Sequence, residues 1–328
     1  MTGRPEVAVV VHAGGRMPPG LDALADEADL RLAGTSAEMT AVMPTAEVLA
    51  VYDFATTLVR ECWPLAERVG WIHAASAGVD AVLFPETVAA DVVVTNARGV
   101  FDDAIAEYVL GLVLLFAKDL HTTVHLQQRR TWRHRESEMV AGSRMLVVGA
   151  GSIGRAIARL ARRAGIDVEG IARRERQGDA DFGHVRPSSE LRDRLADADV
   201  VVIAAPLTDE TRRMFGREEL AAMRPGARLV NVGRGAIVDH EALVEALRSG
   251  RLGGAALDVF DTEPLPPDDP LWELPNVVAS PHMSGDVVGW EETLGTQFVE
   301  NLRRWQRGQQ LLNVVDKQQH RSPAGRAS

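Results

Sequence analysis

The chain has 328 residues, of which 46% are apolar and 25% are charged, a composition typical of a soluble globular protein of about two domains. Its formal net charge of −10 disfavours nucleic acid and anionic membrane surfaces as main partners. The single cysteine, Cys62, excludes an intrachain disulfide, fits a reducing compartment and is expected to be a small buried apolar side chain.

The sequence predicts neither a membrane helix nor a signal peptide. The longest apolar run, Val109–Ala117, is much shorter than the roughly 20 residues of a membrane-spanning helix. Glu6 interrupts the first apolar run, which is unlike the uncharged core of a signal peptide. We therefore expect a cytoplasmic protein with no membrane partner.

Short apolar runs alternate with helical patterns along most of the chain, and this predicts an α/β architecture with parallel sheets. A helix is predicted at Pro18–Ala28, after the first strand. The strands of a first, smaller sheet are predicted at Val7–Val11, Val48–Tyr52, Trp71–Ala75 and Val92–Thr95.

A second series of strands and helices is predicted downstream of a long helix at Asp102–Leu120. Trp132 precedes the series and is expected to be a core anchor. The elements of the series are the strand Met145–Val148, the helix Ser152–Ala164 and the strands Val168–Ala172, Val200–Ala204, Arg228–Val232, Ala255–Val259 and Val277–Ala279.

The last predicted helix, Val287–Trp305, follows the second series and is expected to return to the first domain. The predicted fold is therefore two Rossmann-like or flavodoxin-like doubly wound domains, the second inserted into the first. Residues 1–100 and 285–328 would form the first domain and residues 101–284 the second. The polar segment from Gln318 onward is expected to be frayed.

A glycine-rich turn lies between the first strand and the first helix of the second domain. Glycines permit a tight turn, and backbone N–H groups at the helix N-terminus can receive a pyrophosphate. The pattern GxGxxG alone is weak evidence, but its strand–turn–helix context favours dinucleotide binding. The residues predicted to bind the dinucleotide here are Gly149, Gly151, Ser152, Ile153 and Gly154.

The end of the next predicted strand lacks the acid that NAD-binding folds usually place there for the ribose 2′-hydroxyl. Ala172 occupies that position, and Arg173 and Arg174 follow it. Guanidinium groups suit the dianionic 2′-phosphate of NADP, and each such contact contributes about 1.5–3 kcal/mol. The sequence therefore predicts NADP as the preferred cofactor and NAD as the second option, although two solvated surface arginines would give the same pattern.

Three polar residues, Arg234, Glu263 and His282, each lie just beyond a predicted strand, at the edge where open α/β sheets bind ligands. Reduction of a 2-keto acid needs a guanidinium to hold the carboxylate and an imidazole to protonate the carbonyl oxygen. It also needs a carboxylate that keeps the imidazole protonated. Each residue alone has an ordinary structural explanation, but the three in this order predict that chemistry.

Eight short motifs between about residue 70 and about residue 290 carry a family resemblance. They are Ala77–Asp80, Asn96–Gly99, Ala106-Glu107, Gly149–Gly154, Pro206–Thr208, Asn231–Gly235, Asp258–Pro264 and Ser280–His282. In their order and spacing they resemble the D-isomer-specific 2-hydroxyacid dehydrogenase family, in particular its glyoxylate and hydroxypyruvate reductases. The first 65 residues match only in their pattern of strands and helices.

The resemblance implies an NAD(P)-dependent 2-ketoacid reductase whose first domain binds substrate and whose second binds cofactor. Arg234 would bind the substrate, His282 would be the acid/base and Glu263 its partner. The backbone N–H groups that would hold the substrate carboxylate belong to Ala77, Gly78 and Val79. The residues that would line the cofactor cleft are Pro206, Val232, Asp258 and His282, with Asp258 near the nicotinamide carboxamide.

The resemblance also implies a homodimer joined through the cofactor domains. Closure of the two domains over the cofactor is expected to exclude water from the site, with hinges at Asn96–Phe101 and His282–Asp286. The segment Met283–Asp286 departs from the family, which usually has a small apolar or Thr-containing stretch there, and this leaves the physiological substrate open. Trp290 is either a pocket wall or a packing residue.

Three alternatives remain at this point. A nucleotide-sensing binding protein resembling the C-terminal-binding-protein corepressors would keep the same motifs, although no basic targeting run supports it. A 3-phosphoglycerate dehydrogenase is disfavoured by Ala172 and by the lack of a further C-terminal domain. A metal-dependent dehydrogenase is disfavoured, and no metal is predicted, because the nearest ligand spacing, His121 and His125, is interpreted as a partly exposed helix face.

Overall fold

The computed structural model describes residues 4–317, which divide into two compact units. One unit contains the residues up to Phe101 and those from Val288 onward, and the other is Asp102–Val287. The second unit is thus inserted into the chain of the first. The segment from Gln318, which we predict to be frayed, lies outside the described residues.

The regular elements alternate as the sequence predicts. The strands are β1 (Glu6–Val10), β2 (Asp29–Ala33), β3 (Val48–Val51), β4 (Trp71–Ala74), β5 (Val93–Asn96), β6 (Arg144–Val148), β7 (Asp167–Ala172), β8 (Arg176–Asp179), β9 (Gly183–Pro187), β10 (Val200–Ile203), β11 (Arg228–Asn231), β12 (Gly254–Leu257) and β13 (Val277–Ala279). The helices are α1 (Ser36–Val42), α2 (Leu58–Cys62), α3 (Pro85–Ala89), α4 (Asp102–Ala117), α5 (Leu120–Gln128), α6 (Ser152–Arg163), α7 (Leu191–Leu195), α8 (Arg217–Ala222), α9 (His240–Arg248) and α10 (Trp290–Gln306). Short 3-10 helices lie at Leu21–Leu24, Trp63–Leu65, Ser188–Glu190, Gly235–Ile237 and Pro270–Glu273.

The first unit is built on a five-stranded parallel sheet in the order β2-β1-β3-β4-β5. Strands β3 and β4 are buried along their whole length, which explains their nearly continuous apolar sequences. Met39 of α1 and Val59 of α2 belong to the core on one face. Phe298 and Leu302 of α10 belong to the core on the other.

The second unit is built on an eight-stranded sheet in the order β13-β12-β11-β10-β6-β7-β9-β8. All neighbouring strands are parallel except β8 and β9, which form an antiparallel hairpin at one edge. The order reverses direction between β6 and β10, and such a switch point is where open α/β sheets bind ligands. Together the two sheets confirm the predicted class of two doubly wound parallel-sheet domains.

The predicted helix at Pro18–Ala28 is wrong. Only a 3-10 turn forms, because Gly20 has a positive φ of 82° and the backbone N–H of Asp29 already bonds to Pro5 to begin β2. Strand β2 was not predicted, because as an edge strand it has only one fully buried side chain, Ala33. The β8–β9 hairpin was not predicted for the same reason, since polar and charged residues dominate both strands.

The long predicted helix Asp102–Leu120 ends at Ala117, and α5 continues after a bend in which Asp119 has a φ of 49°. Within residues 4–317 no single helix is long and apolar enough to cross a membrane, and only the bent pair α4 and α5 passes the same test of length and composition. Trp132 is completely exposed, so its predicted role as a core anchor is wrong. It follows α5 in a stretch without helix or strand, where no element covers it.

Candidate active site

The glycine turn follows β6 and opens α6, as predicted. Gly149 has a φ of 110°, and a Cβ on it would lie 2.5 Å from the backbone nitrogen of Ala205. A Cβ on Gly154 would lie 1.9 Å from the carbonyl oxygen of Gly149, so these two glycines allow the turn to pack closely. A Cβ on Gly151 would meet no atom within 4 Å, which leaves the outside of the turn open. The turn thus fits the backbone cradle of a pyrophosphate.

The N-terminus of α6 completes this cradle. Its N-cap residue, Gly151, has no side chain to cap the first N–H groups of the helix. The hydroxyl of Ser152 donates to Oδ1 of Asp102 at 3.2 Å, which directs that side chain toward the start of α4. The backbone N–H groups and the positive end of the helix dipole therefore remain as the elements that would hold an anionic ligand.

The 2′ end of the candidate cofactor site lies after β7. Ala172 ends that strand, and the side chains of Arg173 and Arg174 are exposed. Within the described part of the chain, neither guanidinium makes a hydrogen bond or an ion pair. Position 172 thus offers no carboxylate that could accept from a ribose 2′-hydroxyl, and two exposed guanidinium groups follow it.

Two further cofactor predictions, Pro206 and Val232, lie just beyond β10 and β11. Val232 is buried, and its N–H bonds to the carbonyl oxygen of Ile203 at 3.0 Å. The carbonyl of Pro206 accepts from the hydroxyl of Thr211, which closes the turn after β10. Both residues therefore lie on the carboxyl edge of the same sheet as the glycine turn, and their contact with a cofactor stays a prediction.

Arg234 lies in extended conformation after β11, immediately before a 3-10 turn. The buried side chain of Asn231 fixes this segment, since its amide donates to the Arg234 carbonyl at 3.1 Å and its oxygen accepts from Gly233 at 3.0 Å. A Cβ on Gly235 would lie 1.9 Å from the carbonyl carbon of Phe260, so the loops after β11 and β12 pack against each other. Arg234 is thereby brought near Glu263, whose ionisation its charge favours.

Glu263 and His282 form a direct pair. Oε2 of Glu263 lies 2.8 Å from Nδ1 of His282, and Oε1 accepts from the Phe260 N–H at 2.8 Å. Burial raises the pKa of Glu263, but the bonds from His282 and Phe260 and the charge of Arg234 outweigh it, so the pKa lies below its usual value. Glu263 is therefore an anion that orients the ring of His282. The other ring nitrogen of His282, Nε2, does not contact Glu263.

Asp258 has a structural role that the sequence analysis did not predict. It is only 1% exposed, and Oδ1 accepts from the hydroxyl of Ser280 at 2.6 Å and the N–H of Met283 at 2.9 Å. Oδ2 accepts from the N–H of Ser284 at 2.9 Å. These bonds hold the turn in which His282 has a left-handed φ of 52°. The predicted contact of Asp258 with the nicotinamide carboxamide stays a prediction.

Tyr108 on α4 is a further residue of this region that the sequence did not indicate. Burial raises the pKa of its hydroxyl, a hydrogen bond with Ser280 lowers it, and the nearby charge of Asp258 raises it, with a net upward shift. Tyr108 thus lies close to Ser280 and Asp258, which bond to each other beside the turn that carries His282. The motif Ala106-Glu107 directly precedes Tyr108, but nothing in that motif pointed to the tyrosine itself.

The substrate-binding residues predicted in the first unit, Ala77, Gly78 and Val79, form the turn after β4. The hydroxyl of Ser76 donates to the Gly78 carbonyl and the amide of Asn96 donates to the Ala77 carbonyl, both at 2.7 Å. The turn is therefore well fixed at the carboxyl edge of the first sheet. Its role in substrate binding stays a prediction.

The remaining side chains singled out in the sequence have ordinary environments. Cys62 is buried, as predicted, and the ring of Trp290 at the start of α10 lies 6.1 Å from that of Phe101. His125 on α5 is exposed and His121 is half-buried. Among residues 4–317 no group of three His, Cys, Asp or Glu side chains is placed to hold a metal ion.

Known proteins resemble this chain in sequence and in structure. A family model described as the NAD-binding domain of D-isomer specific 2-hydroxyacid dehydrogenases matches residues 110–284. A glyoxylate reductase from Korarchaeum cryptofilum is 32% identical over 267 residues, which cover 79% of this chain and 79% of that protein. The chain belongs to the D-isomer specific 2-hydroxyacid dehydrogenase family. As a family member, it is an NAD(P)-dependent dehydrogenase of 2-hydroxy acids.

Other members of the family show the range of the likeness. A D-3-phosphoglycerate dehydrogenase from Methanocaldococcus jannaschii is 30% identical over 284 residues, which cover 86% of this chain but 54% of that protein. A D-isomer specific 2-hydroxyacid dehydrogenase from Xanthobacter autotrophicus, solved in complex with NADPH and MES, is 31% identical with a TM-score of 0.79. That likeness covers 96% of this chain and 99% of the other. The family is thus established, and its members differ in substrate.

Proposed function

We propose that this dehydrogenase reduces a small 2-keto acid such as glyoxylate or hydroxypyruvate to the 2-hydroxy acid, with NADPH as the preferred cofactor. The proposal rests on Arg234, Glu263 and His282. Within this set, Oε2 of Glu263 lies 2.8 Å from Nδ1 of His282 and fixes the imidazole ring. The related glyoxylate reductase supports the substrate class. The exposed Arg173 and Arg174 support the cofactor preference.

The chemistry assigned to each residue follows from its surroundings. The planar fork of Arg234 binds the substrate carboxylate and orients the keto group. His282 donates its Nε2 proton to the carbonyl oxygen, and Glu263 stabilises the protonated imidazole before that transfer. The nicotinamide, when bound, supplies the hydride. Asp258 contributes by holding the turn that carries His282.

A substrate panel tests the proposal. We expect NADPH to be oxidised faster with glyoxylate and hydroxypyruvate than with pyruvate and phenylpyruvate. Absorbance measures the rates, and NADH is tested in parallel with the same acids. Oxidation of neither nicotinamide with any of these acids would contradict the proposal. Tight cofactor binding without turnover would instead favour the sensor resembling the C-terminal-binding-protein corepressors.

The cofactor preference has its own test. Replacing Arg173 and Arg174 together by Ala is expected to raise KM for NADPH at least tenfold, because a charge-assisted contact contributes about 1.5–3 kcal/mol. KM for NADH is expected to stay within about twofold, since NADH has no 2′-phosphate. Arg163→Ala, an exposed arginine at the end of α6, is the matched control. An equal change for both cofactors would reduce Arg173 and Arg174 to surface residues.

The proposal also includes a cytoplasmic homodimer joined through the cofactor domains. The family resemblance supports the dimer, and the single reduced cysteine, Cys62, supports a reducing compartment. Sedimentation of the purified chain tests the first point, with a mass of about twice 35.5 kDa expected. A monomer at micromolar concentration would contradict it.

A further inference from the structure

Arg155, the residue directly after the glycine turn, ties α6 to the β8–β9 hairpin. Its guanidinium makes a two-pronged ion pair with Asp179, with Nη1 donating to Oδ1 at 2.9 Å and Nη2 to Oδ2 at 2.7 Å. Nη1 also donates to Asp181 at 2.8 Å. The side chain of Asp179 is only 4% exposed, so water screens this pair far less than an ordinary surface ion pair.

Arg176 joins the same carboxylate to the glycine turn. Its Nε lies 3.3 Å from Oδ2 of Asp179, and its Nη2 donates to the carbonyl of Ala150 at 3.2 Å. The first residue of β8 is therefore fixed both to the middle of the hairpin and to the turn predicted to hold the pyrophosphate. The contact of Nε with Asp179 is an ion pair without a hydrogen bond, whereas the bond from Nη2 to Ala150 joins β8 to the glycine turn, which the sheet alone does not do.

The carboxylate of Asp179 is already paired with guanidinium groups. The ion pair with Arg155 lowers its pKa to about 2, with help from the N–H groups of Asp181 and Phe182. It therefore stays ionised at neutral pH. The guanidinium groups of Arg155 and Arg176 lie against it, and the neighbouring Asp181 is shared between Arg155 and Arg159.

Arg173 and Arg174 lie in the short loop between β7 and β8. One end of the loop is fixed because Ala172 pairs with Pro187 in the sheet. The other end is fixed because Arg176 is bound to Asp179 and to Ala150. The cluster of Arg155, Arg176 and Asp179, here called the hairpin clamp, thus determines where the two exposed guanidinium groups lie relative to the glycine turn.

We infer that the hairpin clamp positions Arg173 and Arg174 for the 2′-phosphate and thereby sets the discrimination between NADPH and NADH. This inference rests on the proposed preference for NADPH. The clamp residues act through Arg173 and Arg174, so they are positioning residues. A clamp that is loosened would leave the adenosine and nicotinamide ends of the cofactor largely unaffected.

The variant Asp179→Asn separates positioning from simple electrostatics, because the two predict opposite signs. It removes a negative charge near the phosphate, so electrostatics alone would strengthen binding of a 2′-phosphate. Positioning predicts weaker binding, since Arg155 and Arg176 lose their shared anion. The probes are 2′,5′-ADP and 5′-AMP, whose dissociation constants are measured by calorimetry without any catalytic step. We expect at least tenfold weaker binding of 2′,5′-ADP and a change of less than twofold for 5′-AMP.

Two variants accompany this test. Arg155→Lys keeps the charge but loses the planar fork, and it is expected to weaken 2′,5′-ADP in the same way, so it serves if Asp179→Asn does not fold. Glu219→Gln breaks an ion pair with Arg192 in the same unit and is the matched control, with neither ligand affected. Unchanged or tighter 2′,5′-ADP binding in the clamp variants, or an equal loss for 5′-AMP, would overturn the inference.

Ligand binding by the unaltered protein and by the variants distinguishes a wrong role of the clamp from a wrong cofactor preference. If the unaltered protein binds 2′,5′-ADP no better than 5′-AMP, the preference for NADPH is wrong and the clamp has no discrimination to set. If the unaltered protein discriminates and the double Ala variant of Arg173 and Arg174 does not, while Asp179→Asn still does, only the role of the clamp is wrong.

Discussion

At the scale of single residues, the pair of Glu263 and His282 is central to the proposed chemistry. The depressed pKa of Glu263 means that this carboxylate is ionised at neutral pH, facing Nδ1 of the imidazole. An anion at that position stabilises the protonated ring that reduction consumes. The pH dependence of reduction should therefore depend on Glu263 although this side chain transfers no proton to the substrate.

The variant Glu263→Gln tests that dependence. Without the carboxylate the protonated imidazole is less stable, so the rate of reduction should begin to fall at a lower pH than in the unaltered protein. We expect kcat at pH 8 to drop at least tenfold, and a smaller loss at pH 5.5. Glu273→Gln, an exposed acid in the same unit, is the control. A parallel loss at every pH would indicate a purely structural role for Glu263.

His73 allows a stability prediction that is independent of catalysis. The ring is completely buried in β4, its Nδ1 bonds to Thr95, and its Nε2 has no partner among the described residues. Burial lowers the pKa of His73 from 6.5 to about 3, so the unfolded chain binds this proton more readily. Stability should thus fall as the pH drops through this window, by up to about 1.4 kcal/mol per pH unit from this group.

Chemical denaturation of the unaltered protein and of His73→Asn between pH 6.5 and pH 4.5 measures this effect. The free energy of unfolding should change less steeply with pH in the variant than in the unaltered protein. The difference in slope should correspond to the uptake of up to one proton on unfolding, whatever the absolute stability of the variant. Equal slopes for the two proteins would show that His73 does not couple folding to pH.

The residues of the candidate site could be picked out from the sequence, whereas the residues that hold them could not, and the catalytic roles stay predictions. Arg234 and His282 lie in short motifs after strands, and the edge of a parallel sheet brings such motifs together. Asp258 holds the turn around His282 through backbone N–H groups, which no residue pattern encodes. The exposure of Trp132 was missed because aromatic side chains are usually buried, and the segment around it has no helix or strand.

At the scale of elements, the glycine turn makes a prediction that separates binding from folding. At Gly151 the φ is −83° and a Cβ would meet no atom within 4 Å, so Gly151→Ala should fold with a melting temperature close to that of the unaltered protein. The added methyl group would occupy the space predicted for the pyrophosphate, so NADPH should bind at least tenfold more weakly.

The matched control is Gly111→Ala in α4, where a Cβ also meets no atom within 4 Å. Replacement there should leave cofactor binding unchanged and stabilise the helix slightly. Calorimetric titration with NADPH measures both variants. Unchanged NADPH affinity in Gly151→Ala would show that this turn does not contact the phosphates.

The buried strands were predicted well and the edge strands poorly, for one physical reason. Strands such as β3 and β10 are covered on both faces, so every residue is apolar and the pattern is strong. Strands β2 and β8 lie at sheet edges, where charged residues such as Arg31 and Arg176 replace that pattern. The ion pairs that join Arg155 to the β8–β9 hairpin connect residues more than 20 positions apart, and no local window reveals them.

At the scale of the whole molecule, alternation of strands and helices was enough to predict two doubly wound sheets. Crossovers between parallel strands are almost always right-handed and connections are usually short, so a chain with this alternation has few other ways to fold. The substrate was not predictable in the same way. The loops at the carboxyl edge of the first sheet carry few motifs that would identify it.

We propose that His282 protonates a small 2-keto acid while NADPH is oxidised. The most direct test follows NADPH absorbance with hydroxypyruvate for the unaltered protein and for His282→Ala, and determines the configuration of the product. We predict D-glycerate from the unaltered protein and a kcat about 10²–10⁴-fold lower in the variant, which still binds NADPH. A variant that retains its kcat within tenfold of the unaltered protein would contradict the account.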